Sequence, residues 1–541
     1  MTSIERVFDE TDRYVKGRIA EAGIPGAVVA VTDREKALRV ASYGYADLAA
    51  GKPIEPGLMF EIGSIGKSFT NVALMQLRDE GRLDLHVPVS RYLPWFEVQS
   101  EYEPITTHHL MTHTSGLVSG NDIGTHGLYE AWALWESRTG APPGEYFRYS
   151  NVGYKTLGFL LEELDGRPYQ DAIQARVLDP LGMHNSDPVI GFETRRLAAT
   201  GYRSFYDDRP EYKEHGLVPA LWTEYGVGDG CQAATVEDMC IYLRMLMNGG
   251  KGPTGRVLSV ESFGLMTQRA IATQQWGGAW YGYGLTLADV EGHAYLGHGG
   301  STPGFVAAMI ADLDDGIGVV VLINGNAGYY GQTVMALHLL ELLRAGLRQQ
   351  EMPPRWTIPD LASVSNAADY AGTYICGEDH LVLTAQGDRL TLLWRGQEVA
   401  LERRGEDDFY APHPDLELFH LEFGRDGDRV VEVFHGPDWY VGEGYAGPGA
   451  FDYPEEWERY QGHYRTYNFG LTNFRIVLRR GALLLMYPAG GYDVLIPLDD
   501  GLFRIGEDAR CPETLRFDSV ASGRALRAIY SGCPYYRTYT P

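Results

Sequence analysis

Residues 59–80 read MFEIGSIGKSFTNVALMQLRDE, and the rest of the chain is best read outward from them. The apolar run from Met59 to Ile62 leads into Ser64-Ile-Gly-Lys67, after which Phe69, Val72, Ala73 and Leu77 recur at helical spacing, the core-facing side of an expected amphipathic helix. Ser64 is thereby expected at or just before a helix N-terminus. Lys67, three residues on, shares its face and points its amine back toward the Ser64 hydroxyl. A serine hydroxyl is a weak nucleophile until an adjacent base takes its proton. An ordinary lysine amine, with a pKa of about 10.4, is protonated at neutral pH, so serving as that base requires roughly 4 kcal/mol of environment. The spacing also arises by chance and gains meaning only from partners elsewhere.

Two further stretches supply such partners. Tyr149-Ser-Asn151 lies within residues 142–154, PPGEYFRYSNVGY. A phenol at a helix start can pass a proton to or from a leaving group. An amide two residues on can hold the lysine and bind a substrate carbonyl. His298-Gly-Gly300 precedes Ser301-Thr-Pro-Gly-Phe305. Gly299 and Gly300 would let a substrate lie along a strand edge, with the Ser301 N–H donating to an oxyanion. Removing one such donor costs about 3–4 kcal/mol in known enzymes. The His298 imidazole is expected to reach substrate or Tyr149.

The chain divides by texture. Residues 26–32 and 37–45 read as paired strands; 68–80, 154–164, 169–178, 236–247 and 333–344 read as helices. Thr235-Val-Glu-Asp238 has the form of a capping box. Residues 306–312 and 318–323 are strands joined through Asp314-Asp315-Gly316. Strands at both ends with helices between predict one antiparallel sheet completed by the two ends of a domain over 1–348. A Pro-bearing linker covers 349–366. Beyond it helical periodicity stops and a repeat begins: Tyr370-Ala-Gly-Thr-Tyr374 returns as Tyr460-Gln-Gly-His-Tyr464, and Phe409 and Phe423 return as Phe503 and Phe517. Two small antiparallel barrels, 367–452 and 453–541, follow from that repeat.

Taken in order and spacing, Ser64-x-x-Lys67, Tyr149-x-Asn151 and His298-Gly-Gly300 resemble the class C β-lactamase and D,D-peptidase family. The resemblance covers roughly residues 5–345, and His113-Thr-Ser-Gly-Leu117 and Gly228-Asp-Gly230 look like that family's structural turns. It implies an α/β (α+β) β-lactamase/transpeptidase-like domain, an antiparallel sheet flanked by helices. It also implies acylation of Ser64, general acid and base work shared by Lys67 and Tyr149, positioning by Asn151, and an oxyanion hole from the Ser64 and Ser301 N–H groups. His298 stands where β-lactamases and most D,D-carboxypeptidases carry the lysine of Lys-Thr-Gly, as in relatives that are esterases, amidases or D-amino-acid peptidases. A catalytic domain followed by two lipocalin-like barrels is similar to bacterial D-aminopeptidases.

Composition sets the outer bounds. The chain has 541 residues, 44% of them hydrophobic and 22% charged, and a formal charge of -26. Such acidity disfavours nucleic acid and anionic membrane partners. No basic, apolar leader opens the chain and no long apolar run interrupts it, so a cytoplasmic location is expected. Five scattered cysteines without a CxxC pair speak against disulfides or structural zinc, and the His108-His109 pair lacks acidic company at ligand spacing. No Gly-x-Ser-x-Gly elbow is present. The expectation is a cofactor-free, metal-free serine hydrolase acting on a small molecule or short peptide with a D-residue. Its alternatives are a carboxylesterase or peptide-cyclising thioesterase, and a penicillin sensor that is acylated without turnover. Homo-oligomerisation is left open.

Overall fold

A computed structural model describes residues 3–120, 127–274, 277–354, 357, 359–468 and 470–539. Two compact units emerge, Met1–Phe205 with Gly216–Thr357, and Tyr206–His215 with Ile358–Pro541.

The first unit is built on a nine-stranded sheet. Helix α1 (Ser3–Ala22) leads into β1 (Gly26–Asp33) and β2 (Ala37–Asp47). Helices α2 (Gly66–Asp79), α3 (Asn151–Asp165) and α4 (Val236–Met247) come next. The chain then returns through β3 (Thr286–Val290), β4 (His293–Thr302), β5 (Phe305–Asp312) and β6 (Ile317–Ile323) to α5 (Gln332–Leu347). β1 pairs antiparallel with β6, Val28 opposite Leu322 and Val29 opposite Val321, so the two ends of the unit meet at the middle of the sheet. The helical block is an insertion, as the sequence predicts.

β1 and β6 are apolar without alternation because both of their faces are covered. Val28, Ala30, Val320 and Leu322 join one core cluster with residues of α2, α3 and α4. Val29, Val31, Val319 and Val321 point the other way, toward the side of α1 and α5. Those two helices meet through Tyr14 and His338, ring centroids 4.4 Å apart, and the Arg18 guanidinium of α1 donates to the Tyr330 carbonyl, in the turn just before α5, at 2.8 Å.

Two local expectations are corrected. Helix α2 is not amphipathic over its first turns: Lys67, Ser68, Thr70 and Asn71 are buried together with Phe69 and Val72. The polar groups tolerate this because each finds a partner, Ser68 from Tyr242 at 2.8 Å, Thr70 on the Gly228 carbonyl at 2.7 Å, Asn71 on the Tyr154 hydroxyl at 2.9 Å. At α4 only half of the capping box forms. Thr235 accepts the Asp238 N–H, but the Asp238 carboxylate accepts from the Asn185 N–H and the Ser186 hydroxyl instead.

In the second unit, Gly372–Cys376 through Asp438–Gly442 belong to a nine-stranded antiparallel sheet, and Gly462–Arg465 through Cys533–Thr538 close an eight-stranded barrel. The repeated aromatics are the matching cores. Tyr370 lies 4.9 Å from both Phe409 and Phe423, and Tyr460 lies 5.6 Å from Phe503 and 4.4 Å from Phe517. Tyr206–His215 packs with this unit through an Arg209–Glu417 ion pair and an Asp207–Arg465 pair at 2.6 Å. All five cysteines are free thiols. Among the described residues no helix is long and apolar enough to cross a membrane.

Candidate active site

The chain reaches Ser64 through a 3-10 turn, Gly63–Ile65, that runs directly into α2. Lys67 is fully buried, and its Nζ lies 2.9 Å from Ser64 Oγ. That amine also donates to the main-chain carbonyl of Asp229 at 2.5 Å. The Tyr149 ring centroid stands 4.9 Å from the same amine, and that of Tyr154 stands 5.5 Å from it. Serine, lysine and phenol therefore share one cleft. No ion pair reaches Lys67 among the described residues.

Tyr149 is held by its neighbours. Its ring stacks on His113, centroids 4.1 Å apart. Next to it, Ser150 caps α3: its hydroxyl accepts the Gly153 N–H at 3.1 Å and donates to the Val118 carbonyl at 2.7 Å. The Ser150 N–H in turn donates to His113 Nδ1 at 2.9 Å. Asn151 begins α3 and its Oδ1 is buried without a hydrogen-bond partner among the described residues. It does not hold Lys67. Asp229 does that, with a backbone oxygen.

His298 sits on β4, 5% exposed, with its ring 6.4 Å from that of Tyr149. Of the two partners expected for it, substrate or Tyr149, its imidazole is not hydrogen-bonded to Tyr149. Nδ1 faces the Gly299 carbonyl, which only accepts, so Nδ1 carries the proton. Nε2 then accepts the Tyr281 hydroxyl at 3.0 Å. Burial, with the Lys67 charge adding to it, pushes the imidazole down to about 4, so His298 is neutral at physiological pH. His113 is driven well below its usual value by burial first and by Lys67 and His298 second. Glu61, three residues before Ser64, is pushed up to about 7 by burial.

The two glycines of the strand edge differ in how closely they are packed. A Cβ on Gly300 would lie 1.9 Å from the Ile62 carbonyl oxygen, whereas one on Gly299 would meet nothing nearer than 3.8 Å. Gly300 thus lets β4 close onto the Ser64 turn rather than making room for a ligand. The approach puts the Ser301 N–H beside that turn, 2.5 Å from where a Cβ on Gly63 would stand. Ser301 Oγ accepts from Asn326 at 3.1 Å. Replacing Gly300 by alanine is expected to cost about 1–3 kcal/mol by overpacking, while Gly299→Ala is tolerated. Thermal denaturation of the two variants checks this, and equal melting temperatures would refute it.

Three residues that the sequence reading left out of the chemistry belong to the site's frame: His113, Asp229 and Tyr281. The first two lie inside quoted turns, His113-Thr-Ser-Gly-Leu117 and Gly228-Asp-Gly230; Tyr281 follows Trp280 on a two-residue strand. His108 and His109 are engaged locally, His108 with the Tyr283 hydroxyl at 2.8 Å and His109 in the cap of its own helix. Among the described residues, His293, Asp312 and Asp314 lie close enough to hold a metal ion, but Asp312 already takes the Arg344 guanidinium at 2.8 Å.

Comparison with known proteins gives the family. The family model described as β-lactamase matches residues 11–343. Penicillin-binding protein 4 of Amycolatopsis lactamdurans is 28% identical over 366 residues, covering 65% of this chain and 94% of its own. A D-aminopeptidase of Cereibacter sphaeroides is 26% identical over 436 residues, 75% of this chain and 76% of its own. Among solved structures, the octameric penicillin-binding protein homologue from Pyrococcus abyssi superposes with a TM-score of 0.58 at 26% identity, covering 80% of this chain and 99% of that one. The D-amino acid amidase from Ochrobactrum anthropi SV3 shares the fold, with a TM-score of 0.51 at 21% identity over 63% of this chain and 99% of that one. The chain belongs to the β-lactamase family and is a serine hydrolase of that family.

Proposed function

We propose that the protein is a D-amino-acid-specific aminopeptidase or amidase that works through an acyl-enzyme on Ser64. The observation that carries the chemistry is the Lys67 amine, 2.9 Å from Ser64 Oγ and anchored on the Asp229 carbonyl. A deprotonated amine keeps an N–H for that carbonyl and turns its lone pair to the Ser64 hydroxyl. Ser64 attacks the substrate carbonyl as Lys67 takes its proton, and the Ser64 and Ser301 N–H groups receive the oxyanion. Tyr149, whose ring centroid stands 4.9 Å from that amine, delivers a proton to the leaving nitrogen and regains one from the Lys67 ammonium. Water then releases the acid. His298 and Tyr281 act as neutral framework, and Asn151 offers its unpartnered oxygen to the substrate side.

Preference for a D-residue rests on the likeness to the Cereibacter sphaeroides D-aminopeptidase, which extends beyond the first unit. A substrate panel tests it: D- and L-alanine p-nitroanilide, D-Ala-D-Ala peptides, p-nitrophenyl acetate and a chromogenic cephalosporin. The D-anilide is expected to exceed its L-enantiomer by on the order of 10²-fold in kcat/KM, the discrimination that one misplaced group in a shaped pocket gives. Turnover of the ester alone would make the protein a carboxylesterase, and a stable stoichiometric adduct would make it a sensor.

A further inference from the structure

Behind Lys67 lies a buried row of charges for which acyl transfer has no direct use. Lys155, one turn beyond Asn151 on α3, is 1% exposed. Its amine pairs with Glu130, on the short helix Gly127–Trp132, and stands 3.9 Å from the Asp229 carboxylate. The Tyr225 hydroxyl donates to that carboxylate at 2.8 Å, and the Tyr225 ring lies 5.8 Å from the Lys155 amine. Asp229 therefore faces two ways. Its side chain turns to Lys155 and Tyr225, and its main-chain oxygen turns to Lys67.

The backbone on either side of Asp229 has no slack. A Cβ at Gly228 would lie 2.5 Å from the Tyr154 carbonyl oxygen, and one at Gly230, where φ is +141°, would lie 2.4 Å from the Gly63 carbonyl oxygen. The turn is thus wedged between α3 and the turn that carries Ser64, and what pulls on Asp229 is felt by the Lys67 amine. A backbone carbonyl is also a suitable acceptor for a base that changes charge. It holds the amine before and after proton transfer, whereas a carboxylate in that place would favour the ammonium. Buried ion pairs are poor stabilisers, because desolvation offsets their attraction and apolar side chains of like volume serve as well. Three buried charges beside the lysine need another reason.

We propose that Glu130, Lys155 and Asp229 form a positioning array for the general base, fixing the Asp229 carbonyl against the Lys67 amine and setting the charge that the amine feels. This rests on the reading of Ser64 and Lys67 as nucleophile and base. The charged and titratable groups that face Lys67 among the described residues are Asp229, His113, His298, Tyr149 and Tyr154. Both histidines are pushed toward their neutral forms, which leaves the array as the source of fixed charge.

The test is the pH dependence of fluorophosphonate labelling of Ser64 in the full chain, with Asp229→Asn and Lys155→Met compared against wild type. Asp229→Asn removes a negative charge, disfavours the protonated amine, and is expected to move the acid limb of the profile to lower pH by about one unit. It also lowers the plateau rate by ~10-fold as the carbonyl loses its tether. Lys155→Met removes a positive charge and moves the limb the opposite way. Limbs that coincide with wild type, or that move together, would overturn the proposal, since a purely structural array alters stability without opposed shifts. Should Lys155→Met fail to fold, the near-isosteric Asp229→Asn decides alone. A wild type that does not label, or a Ser64→Ala variant that does, would instead remove the nucleophile reading and this proposal with it.

Discussion

Replacing Ser64 by alanine is expected to abolish fluorophosphonate labelling and to lower kcat/KM for any acyl substrate by on the order of 10⁴-fold or more. The size follows from what is deleted. Among the described residues the Lys67 amine is hydrogen-bonded to no other hydroxyl, so the variant falls back on whatever the cleft does for attack by water. Stability should move by no more than about 1 kcal/mol, because Ser64 is half-buried and gives up one hydrogen-bond contact with the Lys67 amine. Intact-protein mass spectrometry after probe treatment reads the outcome. An adduct on Ser64→Ala would place the nucleophile elsewhere.

Lys67→Ala should produce the second largest loss, about 10²–10⁴-fold in the acylation rate, the range of a deleted general base. Here a stability cost accompanies the kinetic one. The lysine is fully buried and holds the Asp229 carbonyl, so truncation orphans a buried acceptor at about 1–3 kcal/mol. The two effects separate by pH: as hydroxide takes over the work of the base, labelling of Lys67→Ala recovers with rising pH while its melting temperature does not. Labelling at the wild-type rate at neutral pH would sink the assignment of Lys67.

The contact between Ser64 and Lys67 was legible because it is local: a 3-10 turn running straight into α2 keeps two side chains three residues apart on one face. The sheet was legible too, since β1 and β6 are unbroken apolar runs at the two ends of the first unit. The repeat in the second unit could be read from Tyr370, Phe409 and Phe423 and their counterparts, because an aromatic core is made of side chains. What stayed hidden acts through backbone or through distance. Asp229 holds the lysine with a carbonyl, a group that every residue carries and no spacing reveals. His113 steadies the Tyr149 segment from a backbone at φ +56°, an uncommon conformation for a non-glycine residue, and its composition signals nothing of this. The first turns of α2 looked amphipathic because Ser68 and Asn71 are polar. Their partners, Tyr242 and Tyr154, lie far along the chain.

The pairing of β1 with β6 also governs how the protein comes to exist. On a ribosome, β1 emerges early and cannot find its neighbour until β6 has been synthesised, a wait of tens of seconds at about 5–20 residues per second. Through that interval one edge of an unbroken apolar strand is open to other nascent chains, the condition under which strands pair wrongly. A product released by premature termination before Ile317 would carry the nucleophile and its base but lack the strand that joins β1 to β5. Assembly of the catalytic cleft is thereby postponed until translation of the first unit is nearly finished.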